Sequence, residues 1–194
     1  FMVAEKVEVD TLKQGCKKSL RWVSDGSTGY EILDGEKEEI GTTITLFLKK
    51  SDKEFLKKEK ITEIVKKYSD HIQYPIELIG KKAEDKETLN NSSAIWTRSK
   101  TEITPEQHEE FFRQSGGGFG KPMLTLHNKT EGIVSYTSLL YIPETRPFDL
   151  FHVDRAPKVK LYANRVFITD TLDTILPRWL RFIHGVLDTA DLNL

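Results

Sequence analysis

The stretch GTTITLFLKKSDKEFLKKEKITEIVKKY, residues 41–68, changes its apolar period partway along. In Gly41–Leu48 the residues Ile44, Leu46 and Leu48 alternate with Thr43, Thr45 and Phe47, the period of two of a strand with one clearly apolar side. Farther on, Ile61, Ile64, Val65 and Tyr68 fall at i, i+3, i+4 and i+7, the period of an amphipathic helix. Eight lysines against four acids over residues 49–67 give that helix a solvated basic face. A strand running straight into a helix predicts a mixed α/β (α+β) chain, with this basic connector as a domain boundary.

Upstream, Val3, Val7 and Val9 alternate, and short apolar runs at residues 20–23 and 30–33 are separated by turn material around Gly15, residues 24–29 and Asp34 with Gly35. This predicts an antiparallel meander. Downstream, residues 72–79 read as a strand that Pro75 confines to an edge. GKKAEDKETLNNSS, residues 80–93, reads as a polar loop or linker. Thr104, Pro105 and Gln107 form a helix start whose apolar payload is Phe111 and Phe112. Strands follow near residues 123–127, 134–142 and 159–169, and a last helix is expected over residues 176–187, with Trp179, Phe182, Ile183 and Val186 on one face.

Of the 194 residues, 55 are Leu, Ile, Val or Phe, which predicts a folded core. With 29 basic against 30 acidic residues the chain lacks the charge footprint of a nucleic-acid binder. The single Cys16 excludes an intramolecular disulfide framework and suits a reducing compartment. No apolar run approaches a membrane span, so the expectation is an intracellular chain that binds neither membrane nor nucleic acid. It opens on Phe1, Met2, Val3 in mid-strand style, as a piece of something longer would.

No catalytic constellation emerges from spacing. His71, His108, His127, His152 and His184 lie far apart, so no metal site is expected. GGGFGK, residues 116–121, follows a helix and lacks the spacing of a phosphate loop. The pairs Glu38 with Glu39 and Glu109 with Glu110 point to different faces of any regular element. The aromatics left over are Trp96, which reads either as a partner anchor or as a core residue, and Phe148 with Phe151 in RPFDLF, which either plug the core or offer a contact patch.

Several stretches nevertheless carry a resemblance. FMVAEKVEV (1–9), WVSDGSTGY (22–30), GTTITLFL (41–48), KYSDHIQYPI (67–76), AIWTRSKTEIT (94–104), YTSLLYIP (136–143), RPFDLF (146–151), KLYANRVFITD (160–170) and LPRWLRFIHGV (176–186) stand in the order and near the spacing of the heat shock protein 90 chaperones, bacterial HtpG type. The resemblance implies an incomplete GHKL-type ATPase sandwich half in residues 1–50, a connecting helix over 51–71, and the first part of a middle-domain αβα module over 72–194. It implies a parent that is a homodimeric, ATP- and Mg2+-dependent chaperone of partly folded client proteins, in the bacterial cytoplasm or, alternatively, an organellar matrix. Dimerisation would lie in a region not present here. Thr42, with Gly41, matches the position beside the adenine, while Trp96, Phe148, Phe151, Phe167 and Leu192 match client or interdomain contacts. The family's catalytic carboxylate and lid would precede Phe1, and its phosphate-reaching arginine would follow Leu194. No nucleotide is therefore expected bound to these 194 residues, and no hydrolysis by them. Asn164 stands where the family has a basic residue, a proline is missing from the Asp191–Leu192–Asn193 stretch, and SGGGFGKP (115–122) replaces a histidine-containing stretch. Two rival readings are a nucleotide-independent interaction module and a topoisomerase-like GHKL ATPase with a transducer domain.

Overall fold

The computed structural model describes residues 1–27, 29–80, 85–117, 120–132, 134–152, 155, 158–170 and 176–190. The chain divides into two compact units, Phe1–Ile61 and Thr62–Leu194.

The first unit is an antiparallel sheet of β1 (Ala4–Leu12), β2 (Leu20–Ser24), β3 (Glu31–Asp34) and β4 (Gly41–Leu48), in the order β3-β2-β1-β4. The meander expected from the turn residues is present, with β4 closing on the far side of β1. The registers sort side chains sharply. Val9, Trp22, Ile32 and Ile44 share one row, with Val7 and Leu46 in the next row on the same face. Glu8, Val23, Glu31 and Thr45 share a row on the other face, beside the row of Asp10, Arg21 and Thr43. The charged face is laced by Lys6–Glu8 at 2.8 Å and by a two-point Arg21–Asp10 pair at 2.7 and 3.3 Å. The apolar side expected of β4 exists, yet Ile44 is 62% and Ile32 59% exposed, so among the described residues of the first unit no layer covers this face.

One continuous basic helix was expected over residues 49–67, and the structure corrects this. Lys50–Leu56 is a tight 3-10 segment, Lys57 is extended at φ −84°, ψ 134°, and only Lys58–Tyr68 is α-helix (α1). The apolar period begins at Ile61, so nothing in residues 50–56 offers a helical stripe to bury.

The second unit is built on a five-stranded mixed sheet, order β10-β9-β11-β8-β7, from β7 (Pro122–Thr130), β8 (Tyr136–Pro143), β9 (Lys158–Ala163), β10 (Val166–Thr169) and β11 (His184–Thr189). Only β11 and β9 run parallel. A small ladder, β5 (Glu77–Ile79) with β6 (Lys86–Thr88), stands apart from it. The strand expected over 72–79 shrinks to β5 because Asn90 takes over the hydrogen bonding of the segment before it. Its Oδ1 accepts from the Ile76 amide at 2.8 Å, and its Nδ2 donates to the Ile72 and Tyr74 carbonyls at 3.1 and 2.9 Å. The polar stretch after Gly80 is likewise not all loop, since Leu89 and Asn90 are buried.

The helix expected at 104 is α2 (Pro105–Phe112), with a reciprocal box in which Thr104 Oγ1 accepts from the Gln107 amide and Gln107 Oε1 from the Thr104 amide. Residues 176–187 are not a helix. A single 3-10 turn, Arg178–Leu180, leads into β11 at the centre of the sheet, and Trp179 is left 72% exposed. Two apolar layers flank the sheet. One contains Trp96, Phe112, Leu139, Tyr141, Tyr162 and Val186; the other contains Val159, Leu161 and Ile183, with Leu180, Phe182 and Leu187 packed against them.

Candidate functional site

Thr42 lies at the start of β4, where the ladder sets it opposite Thr11, and the two hydroxyls meet at 2.9 Å. Gly41 before it adopts φ 131°, open to glycine alone, with free space where a Cβ would stand. The row through Thr42 continues to Thr11, Leu20 and Asp34. It offers hydroxyls that could pair with a base but no cation to a polyphosphate, so these residues fit a nucleoside contact and not a triphosphate site. Lys37 is occupied elsewhere, donating to Thr43 on the opposite face at 2.9 Å. Among the described residues no group of three or more His, Cys, Asp or Glu is arranged to hold a metal ion.

The aromatic candidates separate into three kinds. Of the two readings of Trp96, partner anchor and core residue, the structure gives the core and corrects the contact role that the resemblance implied: it is 1% exposed, its Nε1–H donates to Asp188 Oδ2 at 2.8 Å, and its ring packs on His71, Tyr162 and Phe111. A side chain so enclosed has no area to give a partner. Phe167 is half-buried, tilted against Tyr68 and edge-on to Tyr162, and it lines a cavity of about 320 Å³ with Lys66, Asp70, His71 and Lys160. Phe148 and Phe151 are 98% and 76% exposed. Leu192 lies outside the described residues.

What holds Phe148 and Phe151 outward has no signal in the sequence. The segment after β8 folds into successive turns, with the Leu150 amide donating to the Pro147 carbonyl and the His152 amide to that of Asp149. The Arg155 side chain, 3% exposed, pairs with Asp149 inside these turns, and its Nε donates to the Arg181 carbonyl at 3.2 Å. Burial first, and the charge of Arg181 second, hold the Arg155 guanidinium below its ordinary pKa. Arg146 lies over the Phe151 ring, 5.7 Å from its centroid. One buried arginine thus ties the aromatic turn to the segment that carries Trp179, leaving large apolar rings in water on a fixed support. Exposed apolar rings on a pinned turn can bury surface against a partner at little ordering cost.

No helix among the described residues is long and apolar enough to cross a membrane. The model of the Hsp90 protein family matches residues 54–89 and 79–194. The chaperone protein HtpG of Roseobacter denitrificans is 50% identical over 194 residues, covering 100% of this chain and 30% of the relative. That of Paramagnetospirillum magneticum is 49% identical over 195 residues, covering 100% and 31%. That of Rhodospirillum rubrum is 48% identical over 194 residues, again covering 100% and 31%. The chain therefore spans about a third of the length of these relatives. With the matched family model covering the whole second unit and these identities running from end to end, the chain belongs to the Hsp90 protein family.

Proposed function

We propose that this chain is the client-holding part of an ATP-dependent chaperone, and that it binds partly folded proteins through the Phe148–Phe151 turn. The observation that carries this is the pair of exposed phenylalanines on a turn fixed by Asp149 and Arg155. Non-native proteins share exposed apolar surface and little else, so a small rigid aromatic patch suits many of them. The names of the relatives support a chaperone role. The whole protein would be a cytoplasmic homodimer whose Mg2+·ATP cycle remodels the bound client. Its apolar sheet face around Val9, Trp22 and Ile44 is of the kind that a helical layer from the rest of such a protein would bury. Thr42 would contribute a base contact, and the polyphosphate site would lie in other parts of the protein.

The test is anisotropy titration of a permanently unfolded, carboxymethylated protein against the 194 residues and against the F148S/F151S double variant. Burial of one Phe contributes roughly 1.5–3 kcal/mol, so affinity falls by about tenfold or more, while the urea midpoint stays unchanged because both rings already face water. Unaltered affinity would refute the assignment. Phosphate release from ATP by the same 194 residues is expected to stay at the buffer blank, and turnover above it would show that the site is complete within them.

A further inference from the structure

β7 is the terminal strand of the five-stranded sheet, and among the described residues no second strand pairs with it. It is nine residues long, and its one proline is its first residue. Beyond the irregularity between Pro122 and Leu124, the pairing with β8 runs without a break from Leu124 to Thr130. Edge strands are usually short, bulged or interrupted, because a row of unpaired N–H and C=O groups accepts any extended chain. This edge also exposes Met123, Leu124 and Leu126. The registers place Leu126 in one row with Leu140, Gly185 and Val159, and Leu124 opposite Ile142. A strand added beyond β7 would therefore extend an apolar layer that already forms the second core of this unit.

We infer that β7 takes up an extended, alternately apolar segment of a non-native polypeptide as a sixth strand, an inference that rests on the chaperone reading above. Main-chain pairing would supply affinity without sequence preference, and the Leu124 and Leu126 row would select apolar residues at every second position. A second copy of β7 is a poor guest. The antiparallel register that sets Leu124 against Leu126 also sets Lys121 against Lys129, and the registers displaced by two residues set Leu124 against Asn128 or Leu126 against Pro122, so no antiparallel self-pairing matches both leucines without opposing the two lysines. A foreign segment carries no such constraint.

The experiment uses the 194-residue chain and a fluorescein-labelled decapeptide of alternating Leu and Ser with a Glu at each end. Two further versions are N-methylated, one at its odd and one at its even positions. Only one set of peptide N–H groups faces β7, so one version loses at least tenfold in affinity and the other binds within about twofold of the parent. Hydrogen exchange of amides 124–130 slows on binding. The L124K/L126K variant loses the peptide with an unchanged melting midpoint. If both methylated versions bind like the parent, or both fail alike, the inference is overturned, whether or not the variant folds. It is also overturned if amides 124–130 are already protected in a dimer of the free chain. If the unfolded protein still binds through Phe148 and Phe151 in either case, the chaperone reading stands and only the strand-addition mode falls.

Discussion

Trp96 joins two layers of interaction that a smaller ring could not. Its indole N–H satisfies Asp188, whose other oxygen accepts from the Arg165 amide at 3.2 Å, and its own carbonyl accepts from His127 Nε2 at 2.9 Å. With a donating Nε2–H, the unpartnered His127 Nδ1 is the acceptor nitrogen. W96A removes the central ring of the aromatic cluster and leaves a buried carboxylate short of a donor, which costs about 3–5 kcal/mol. W96F keeps most of the packing and loses the hydrogen bond, about 1–3 kcal/mol. Urea unfolding followed by far-ultraviolet circular dichroism checks both, and equal midpoints for W96F and the parent would show that the Asp188 bond contributes nothing. Such losses mean that weaker client binding by W96A would report unfolding, so the exposed Phe148 and Phe151 are the proper probes of binding.

Among the elements, β11 shows what periodicity conveys and what it misses. Phe182, Ile183 and Val186 fall at helical spacing, but Gly185 sits at φ 140°, and a Cβ there would collide with the Leu139 carbonyl oxygen and lie 2.9 Å from Leu140 Cα. The close approach of β8 is therefore possible only over glycine, and G185A forces apart the central pair of the sheet. We expect it to cost more than about 4 kcal/mol and to leave the second unit unfolded or molten, seen as lost near-ultraviolet circular dichroism and amide dispersion. A native-like spectrum would show that the sheet shifts to accommodate the methyl. Local chemistry was legible wherever a residue acts on its neighbours: the Thr104–Gln107 box, the antiparallel strands of the first unit, and the apolar stripe of α1 from Ile61 to Tyr68. Hidden features depend on distant partners. Asn90 reaches back to residues 72–76, Arg155 to Asp149 and Arg181, and β11 inserts between β8 and β9. The site divides in the same way, since Phe148 and Phe151 could be named from RPFDLF, whereas their exposure and their anchor could not.

For the whole molecule, the two units are expected to respond differently to acid, because the two histidines whose pKa burial lowers, His108 and His184, belong to Thr62–Leu194 and no histidine belongs to Phe1–Ile61. His184 is 2% exposed, packed edge-on to Phe112, and its Nδ1 has no partner. Burial first, then the charges of Lys158 and Arg155, push its pKa down to about 4, opposed by the Ser115 backbone. Burial also lowers the His108 pKa. The ordinary histidine value is about 6.5, so on falling pH the unfolded chain takes up the proton before the folded chain does. The stabilisation from neutral His184 is complete above about pH 6.5 and is lost toward pH 4, about 3 kcal/mol in all. The tryptophans allow the units to be followed separately, as Trp22 belongs to the first and Trp96 to the second. In a variant keeping Trp96 alone, the urea midpoint from fluorescence is expected to fall steadily from pH 7 to pH 4.5. In one keeping Trp22 alone it should stay nearly level down to about pH 5.5, above the range where carboxylates titrate. Adding H184Q to the Trp96 variant should flatten its slope by more than half. An unchanged slope would mean that the burial of His184 costs the folded state nothing on protonation, and that the acid sensitivity of the second unit arises at another group.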